Sequence, residues 1–176
     1  GILPLETAVN YGCTGPMLRG SGLAHDLRRV DGYSVYPELD FDVVVGTGEK
    51  GSVGDCWARY QVRMDEIRES LKIIEQCVER LQKLYPRTPD FDPRGDALRR
   101  NRPVVDSLYF RAENPRGELG FYFVGQEKSD IPYRVKCRAP SFCNLSVLPE
   151  LCRGVLLADV VAIIGSVDIV LCEVDR

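Results

Sequence analysis

The sequence predicts an α+β fold, predominantly helical with a small antiparallel sheet, and three features predict it. Trp57, Tyr60, Met64, Ile67, Leu71, Ile74, Val78 and Leu81 alternate spacings of three and four without a break, the seam of one long helix. Residues 107–113 and 118–124 are rich in aromatic and β-branched side chains and flank Asn114-Pro115-Arg116-Gly117, a turn-forming tetrapeptide that makes the pair a hairpin. Residues 155–171 form the most apolar stretch, yet it is short for a bilayer span of ~20 residues and contains Asp159 and Asp168, so it reads as a buried helix and its sequel.

The other elements follow in order. Residues 1–52 mix short apolar groups with glycines and with Arg19, Asp26, Arg28, Arg29 and Asp31, a pattern of short helices and structured loops. A brief strand is expected at 41–45. Ser52-Val53-Gly54-Asp55 supplies a capping signal for the long helix, placed at about 53–84, and Pro86 stops it. Just over three heptads suit packing in a helix bundle better than a free coiled coil. Residues 86–103 are rich in proline and arginine and read as an exposed connector. Residues 131–138 add a third strand after the polar loop 125–130, with Tyr133, Val135 and Cys137 on one side. Pro140 and Pro149 bracket a short segment before the final helix, about 156–164, which Gly165 ends. A tail to residue 176 follows.

At 176 residues the chain suffices for one domain, or for a portion of a larger one. It begins at Gly1 without a methionine, and Ile2-Leu3-Pro4-Leu5 lacks signal-peptide architecture, so it reads as a fragment or processed chain. A net charge of −3 with both signs mixed leaves no footprint for nucleic acid or an anionic membrane surface. The seven cysteines, at 13, 56, 77, 137, 143, 152 and 172, are odd in number and irregular in spacing, which suggests reduced, buried, cytosolic thiols. There is no CxxC, and the single histidine, His25, is far in sequence from every cysteine but Cys13. A zinc or iron–sulfur site within the chain is not expected.

Gly46-Thr47-Gly48-Glu49-Lys50-Gly51 is a literal GxGxxG. A dinucleotide fold needs a crossover helix and then a second strand bearing an acid about twenty residues on. Those positions fall inside the long helix instead, so no NAD site is expected and the glycines read as a flexible entry to the helix. Glu113-Asn114-Pro115-Arg116-Gly117-Glu118-Leu119-Gly120 carries a guanidinium at a hairpin tip, able to present donors to a redox centre or a carbonyl while staying charged. From spacing alone, Arg116 is a surface turn residue. Asp168 stands in an apolar run, where a carboxylate costs several kcal/mol unless it is paired. Beside Arg116 or another cation it would stay ionised; unpaired, its pKa would rise and it could carry a proton. The alternative is a helix cap or a structural ion pair.

These stretches, with Tyr11-Gly12-Cys13-Thr14-Gly15-Pro16-Met17-Leu18-Arg19-Gly20-Ser21-Gly22, Asp26-Leu27-Arg28, Tyr33-Ser34-Val35-Tyr36, Gly54-Asp55-Cys56, Arg138-Ala139-Pro140-Ser141-Phe142 and the run 157–165, carry a resemblance. The chain resembles the C-terminal portion of the D-subunit family of NADH-quinone oxidoreductases (respiratory complex I), relatives of the nickel–iron hydrogenase large subunits. The resemblance implies a hydrogenase large-subunit-like fold in which Arg116, Asp168 and Val170 border a quinone cavity, Arg116 and Asp168 being the candidate catalytic residues. It implies that NADH, FMN and iron–sulfur clusters belong to partner subunits, that quinone is the substrate, and that its reduction drives proton translocation in the membrane arm. The chain itself then binds no metal, flavin or NAD. It implies a peripheral place on the cytoplasmic side of the membrane, through cluster-bearing and membrane-arm partners.

The departures also inform. In energy-converting hydrogenases the tail carries two nickel-binding cysteines; here those positions are Val170 and Glu173, and Cys172 is one residue out of register, so the metal site is gone. Asn114 replaces a usual alanine, Cys172 a usual glycine, and residues 46–53 are longer than usual. His25 stands where an aromatic is common and reads as a packing or surface residue. The family's histidine and tyrosine that contact the quinone headgroup belong to a more N-terminal part, so this chain is expected to hold part of a cavity. Two other readings stand beside it: a scaffold docking its neighbours without touching quinone, and a working hydrogenase subunit, which needs four cysteines around nickel and iron.

Overall fold

The computed structural model describes residues 1–84, 106–127, 129 and 131–175. In chain order the elements are α1 (Leu5–Asn10), α2 (Pro16–Gly20), α3 (Leu27–Val30), a 3-10 turn (Tyr36–Glu38), α4 (Cys56–Leu84), β1 (Ser107–Asn114), β2 (Gly117–Val124), β3 (Arg134–Arg138), α5 (Pro140–Leu145), α6 (Leu148–Leu151), α7 (Leu157–Val167) and α8 (Leu171–Val174). This is the expected mixture of short helices, one long helix and a small sheet. The connector expected at 86–103 and the Pro86 stop lie outside the described residues.

Helix α4 begins at Cys56, three residues later than the expected 53, because the cap is Asp55, whose carboxylate accepts a hydrogen bond from the Ala58 amide at 2.7 Å. Its packing differs from expectation. The periodic apolar residues from Trp57 to Leu81 are 39–64% exposed, whereas Ala58, Arg59 and Val62 are the buried positions. Helices α2 and α7 pack against α4, and small side chains permit the approach: a Cβ on Gly20 would lie 3.0 Å from the Arg59 Cγ. Periodicity thus identified an apolar face, and the described residues leave that face uncovered.

Residues 41–45 form no strand. The backbone here satisfies amides on side chains of α4 instead, with Asp40 N donating to Gln76 Oε1 at 2.8 Å and Asp42 N to Glu69 Oε2 at 3.0 Å. Side-chain acceptors here replace a strand partner. Gly46 then docks on α2: its amide donates to the Arg19 carbonyl at 2.9 Å, and a Cβ there would sit 2.3 Å from the Gly20 carbonyl oxygen. The glycine at the head of the GxGxxG is therefore required for close backbone approach rather than for flexibility.

The sheet is antiparallel in the order β1-β2-β3, the third strand shorter than the predicted 131–138. The pairing Asn114↔Gly117 leaves a two-residue loop, Pro115-Arg116, so Arg116 projects from the tip. The loop before α2 anchors that tip. Thr14 Oγ1 accepts from the Glu118 amide at 3.0 Å, and Asn144 Nδ2 on α5 donates to the Arg116 carbonyl at 3.0 Å. Gly117 has φ +128°, and a Cβ on it would fall 2.4 Å from Thr14 Oγ1. Gly117→Ala is expected to cost about 1–3 kcal/mol and to displace Arg116, read as a lowered melting temperature of the assembled protein.

The core joins α1, α2, α6 and α7 through Leu3, Ala8, Met17, Leu18, Val147, Leu151, Ile163 and Val167. Helix α7 does not stop at Gly165 but continues to Val167, and the left-handed residue that ends it is Asp168 (φ 56°, ψ 56°). Two tertiary anchors carry it past the glycine: Val167 is buried in the core, and Ser166 Oγ accepts from Arg59 at 2.7 Å. Aspartate tolerates the left-handed turn better than most residues. Of the cysteines expected to be buried, only Cys13 is; five are half-buried and Cys172 is exposed, and none is in a disulfide. Burial pushes the Cys13 thiol up to about 11, which keeps it protonated and unreactive.

Candidate functional site

The tip of the β1–β2 hairpin, the end of α7, α2, α3 and the middle of α4 surround a cleft of about 490 Å³. Its wall includes Arg116 and Asp168, two residues 52 positions apart in sequence. The Arg116 Nη2 donates to Asp168 Oδ1 at 3.2 Å, and its Nε donates to the Asp168 carbonyl at 3.3 Å. On the other side Arg63 Nε lies 3.4 Å from Asp168 Oδ2. Asp168 is thus both a helix cap and an ion-paired group held between two guanidiniums. With Arg116 and Asp168 still 31% and 39% exposed, such a pair contributes about 0–1 kcal/mol of stability. Its larger effect is on the field inside the cleft.

Val170 does not join them. It lies outside the cleft wall, and its amide donates to Ser141 Oγ at 3.2 Å. Ser141 Oγ in turn donates to Glu173 Oε2 at 2.6 Å, tying the tail to the start of α5. His25 is half-buried and its carbonyl, not its ring, serves the site by accepting from Arg19 Nη1 at 2.9 Å.

The opposite wall was not foreseen. Arg19, 2% exposed, donates from Nε to Glu66 Oε1 at 2.6 Å and from Nη1 to Glu113 Oε1 at 2.8 Å, with Asp26 at 3.8 Å. Glu113 also accepts from the Leu27 amide at 3.1 Å, and Asp26 caps α3 through the Arg28 amide at 2.9 Å. The one available sequence signal was a lone charge in the small and apolar run Gly15-Pro16-Met17-Leu18-Arg19-Gly20-Ser21. Such a charge must be paired if the run is buried.

Burial pushes the Glu66 carboxyl up, against the pull of the neighbouring Arg19. Burial also lowers Arg63, partly offset by Asp168, though a guanidinium stays charged. For Asp26 burial raises the carboxyl, but hydrogen bonds and charge from Arg28, with the charge of Arg19, outweigh it and hold it below its ordinary value of 3.8. The unfolded chain therefore binds that proton at higher pH than the folded one, and the stability Asp26 contributes is complete above 3.8 and lost as pH falls through the folded value. Asp26→Asn is expected to flatten the acid side of a melting-temperature profile below about pH 4. An unchanged acid limb would place the acid sensitivity elsewhere.

Chemically the cleft offers guanidinium donors from Arg116, Arg63 and Arg28 beside carboxylates, suited to a ligand bearing polar oxygens. Among the described residues no group of three or more His, Cys, Asp or Glu side chains is placed to hold a metal ion. No described helix is long and apolar enough to cross a membrane.

Fold and cleft together define a helical α+β protein with a charge-lined site at a hairpin tip. All 176 residues match the family described as respiratory-chain NADH dehydrogenase, 49 Kd subunit. The chain is 58% identical over its whole length to the NADH-quinone oxidoreductase D subunit 1 of Cytophaga hutchinsonii and covers 45% of that protein. It is 56% identical to the NADH-quinone oxidoreductase D subunit of Chlorobium luteolum and 54% identical to that of Amoebophilus asiaticus, in each case across the full chain and 44% of the relative. This chain belongs to the 49 Kd subunit family of respiratory-chain NADH dehydrogenases. It spans less than half the length of the curated relatives it matches.

Proposed function

We propose that the chain is part of the quinone-reducing subunit of an NADH:quinone oxidoreductase and supplies one wall of the quinone cavity. The observation that carries this reading is the pairing of Arg116 and Asp168 on one wall of the cleft in a chain of this family. In this reading NADH, FMN and iron–sulfur clusters lie on partner subunits. Two electrons reach the quinone from the terminal cluster, two protons join its oxygens, and formation of the quinol is coupled to proton translocation in the membrane arm. Arg116 donates to a quinone oxygen, and Asp168 holds that guanidinium and balances its charge; Val170, outside the cleft wall, ties the tail to the start of α5 through Ser141. The subunit sits peripherally on the cytoplasmic side of the membrane, held by its partners.

The test is photoaffinity labelling of the assembled enzyme with a quinone analogue, followed by peptide mapping. Label on the Arg116 turn or the 168–170 tail, lost when a quinone-site inhibitor is added, supports the reading. Label confined to other subunits favours the second reading, a docking scaffold, for which the uncovered apolar face of α4 speaks. A hydrogenase reading is the weakest, because Val170 and Glu173 occupy the positions of the nickel-binding cysteines; stoichiometric nickel in the purified enzyme would revive it.

A further inference from the structure

We infer that Arg63 is the positioning residue for Asp168, fixing the end of α7 to α4 and setting the direction in which the Asp168 carboxylate faces the cleft. The inference rests on the quinone-cavity reading and deepens it. Arg63 reaches in three directions at once. Its Nη1 donates to the Arg59 carbonyl one turn back on α4 at 3.1 Å, its Nη2 donates to the Val167 carbonyl at 3.1 Å, and its Nε faces Asp168 Oδ2 at 3.4 Å. Val167 is the last helical residue of α7 and Asp168 the left-handed residue that ends it. One guanidinium therefore grips both the helix end and the side chain that leaves it.

The two arginines that hold Asp168 are mounted differently. Arg116 stands on a two-residue loop, whereas Arg63 stands within α4, a helix of 29 residues, with its planar fork fixed by two carbonyls. Of the two, Arg63 is the rigid anchor. Its Nε is buried and makes no hydrogen bond, an arrangement that leaves a donor unsatisfied at a cost. The Asp168 carboxylate is the neighbour positioned to satisfy it. When a ligand oxygen engages Arg116, Asp168 can transfer its interaction to Arg63 Nε without losing a cationic partner, which leaves Arg116 free to donate.

The experiment is a double-mutant cycle in the assembled, membrane-bound enzyme with Arg63→Gln, Arg63→Lys and Asp168→Asn, reading apparent quinone KM, inhibitor IC50 and the amount of assembled complex on native gels. Arg63→Gln and Asp168→Asn are each expected to raise KM and IC50 by roughly tenfold, and the double variant by roughly tenfold as well, rather than the roughly hundredfold of independent sites. Lysine keeps the charge but as a single point donor cannot bridge Val167 and Asp168, so Arg63→Lys is expected to raise both by about threefold. An assembled Arg63→Gln enzyme with unchanged KM and IC50, or an additive double variant, overturns the inference. Should Arg63→Gln fail to assemble, Arg63→Lys decides: a rise supports the bridging role, and unchanged values overturn it. No effect of Asp168→Asn alone would remove the quinone-cavity reading, and the inference with it, whereas an effect of Asp168→Asn without one from Arg63 would remove only the inference.

Discussion

Asp168→Asn in the assembled enzyme is expected to lower quinone turnover by about 10- to 100-fold, in the range for loss of one charged group at a reacting centre. The substitution isolates the charge. Asparagine is of similar size, can still accept a hydrogen bond from Arg116, and tolerates the left-handed backbone that ends α7. What it lacks is the negative charge between Arg116 and Arg63, which then face each other across a shared amide. Their mutual repulsion would splay the hairpin tip from the helix end. Quinone-dependent NADH oxidation with a parallel inhibitor titration checks this. Turnover and inhibitor sensitivity equal to those of the parent would place Asp168 outside the site and leave it a helix cap.

Arg19→Leu is expected to be the most destabilising single change, costing about 3–5 kcal/mol, the range for removing one partner of a buried charge network. Leucine fills much of the volume but leaves Glu66 and Glu113 without their 2.6 and 2.8 Å partner. Arg28 is engaged with Asp26 and cannot serve all three carboxylates. The expected readout is a marked drop in melting temperature of the purified complex, or failure to assemble. Arg19→Lys should recover only part of the loss, because an ammonium cannot present the fork that serves two carboxylates. Parent-like melting of the leucine variant would mean that the carboxyl groups take up protons and no longer need the cation.

The uncovered face of α4 illustrates how far local pattern reaches. Seam residues such as Ile67, Leu71 and Ile74 announced a helix because helical geometry turns a spacing of three and four into a stripe, whatever covers that stripe. The same pattern could not say that the face buried on α4 would instead be that of Ala58, Arg59 and Val62, since that depends on where α2 and α7 pack against it. Gly165 misled for a related reason: a glycine signals a helix end only when the next residues have nothing better to do, and Ser166 and Val167 have tertiary partners.

Local pattern was enough for the α+β mixture, the Asp55 cap and body of α4, the hairpin whose two-residue loop carries Arg116, and, through its motifs, the family and the interest of Arg116 and Asp168. All of these follow from interactions within a few residues or from motifs read directly. Packing was needed for Arg116 to meet Asp168, for Arg63 to brace the second of them, and for Arg19 to gather Glu66 and Glu113 from positions 47 and 94 residues away. An ion pair between distant segments leaves no periodicity in the chain. It exists only once the fold has brought the charges together and excluded the water that would otherwise solvate them.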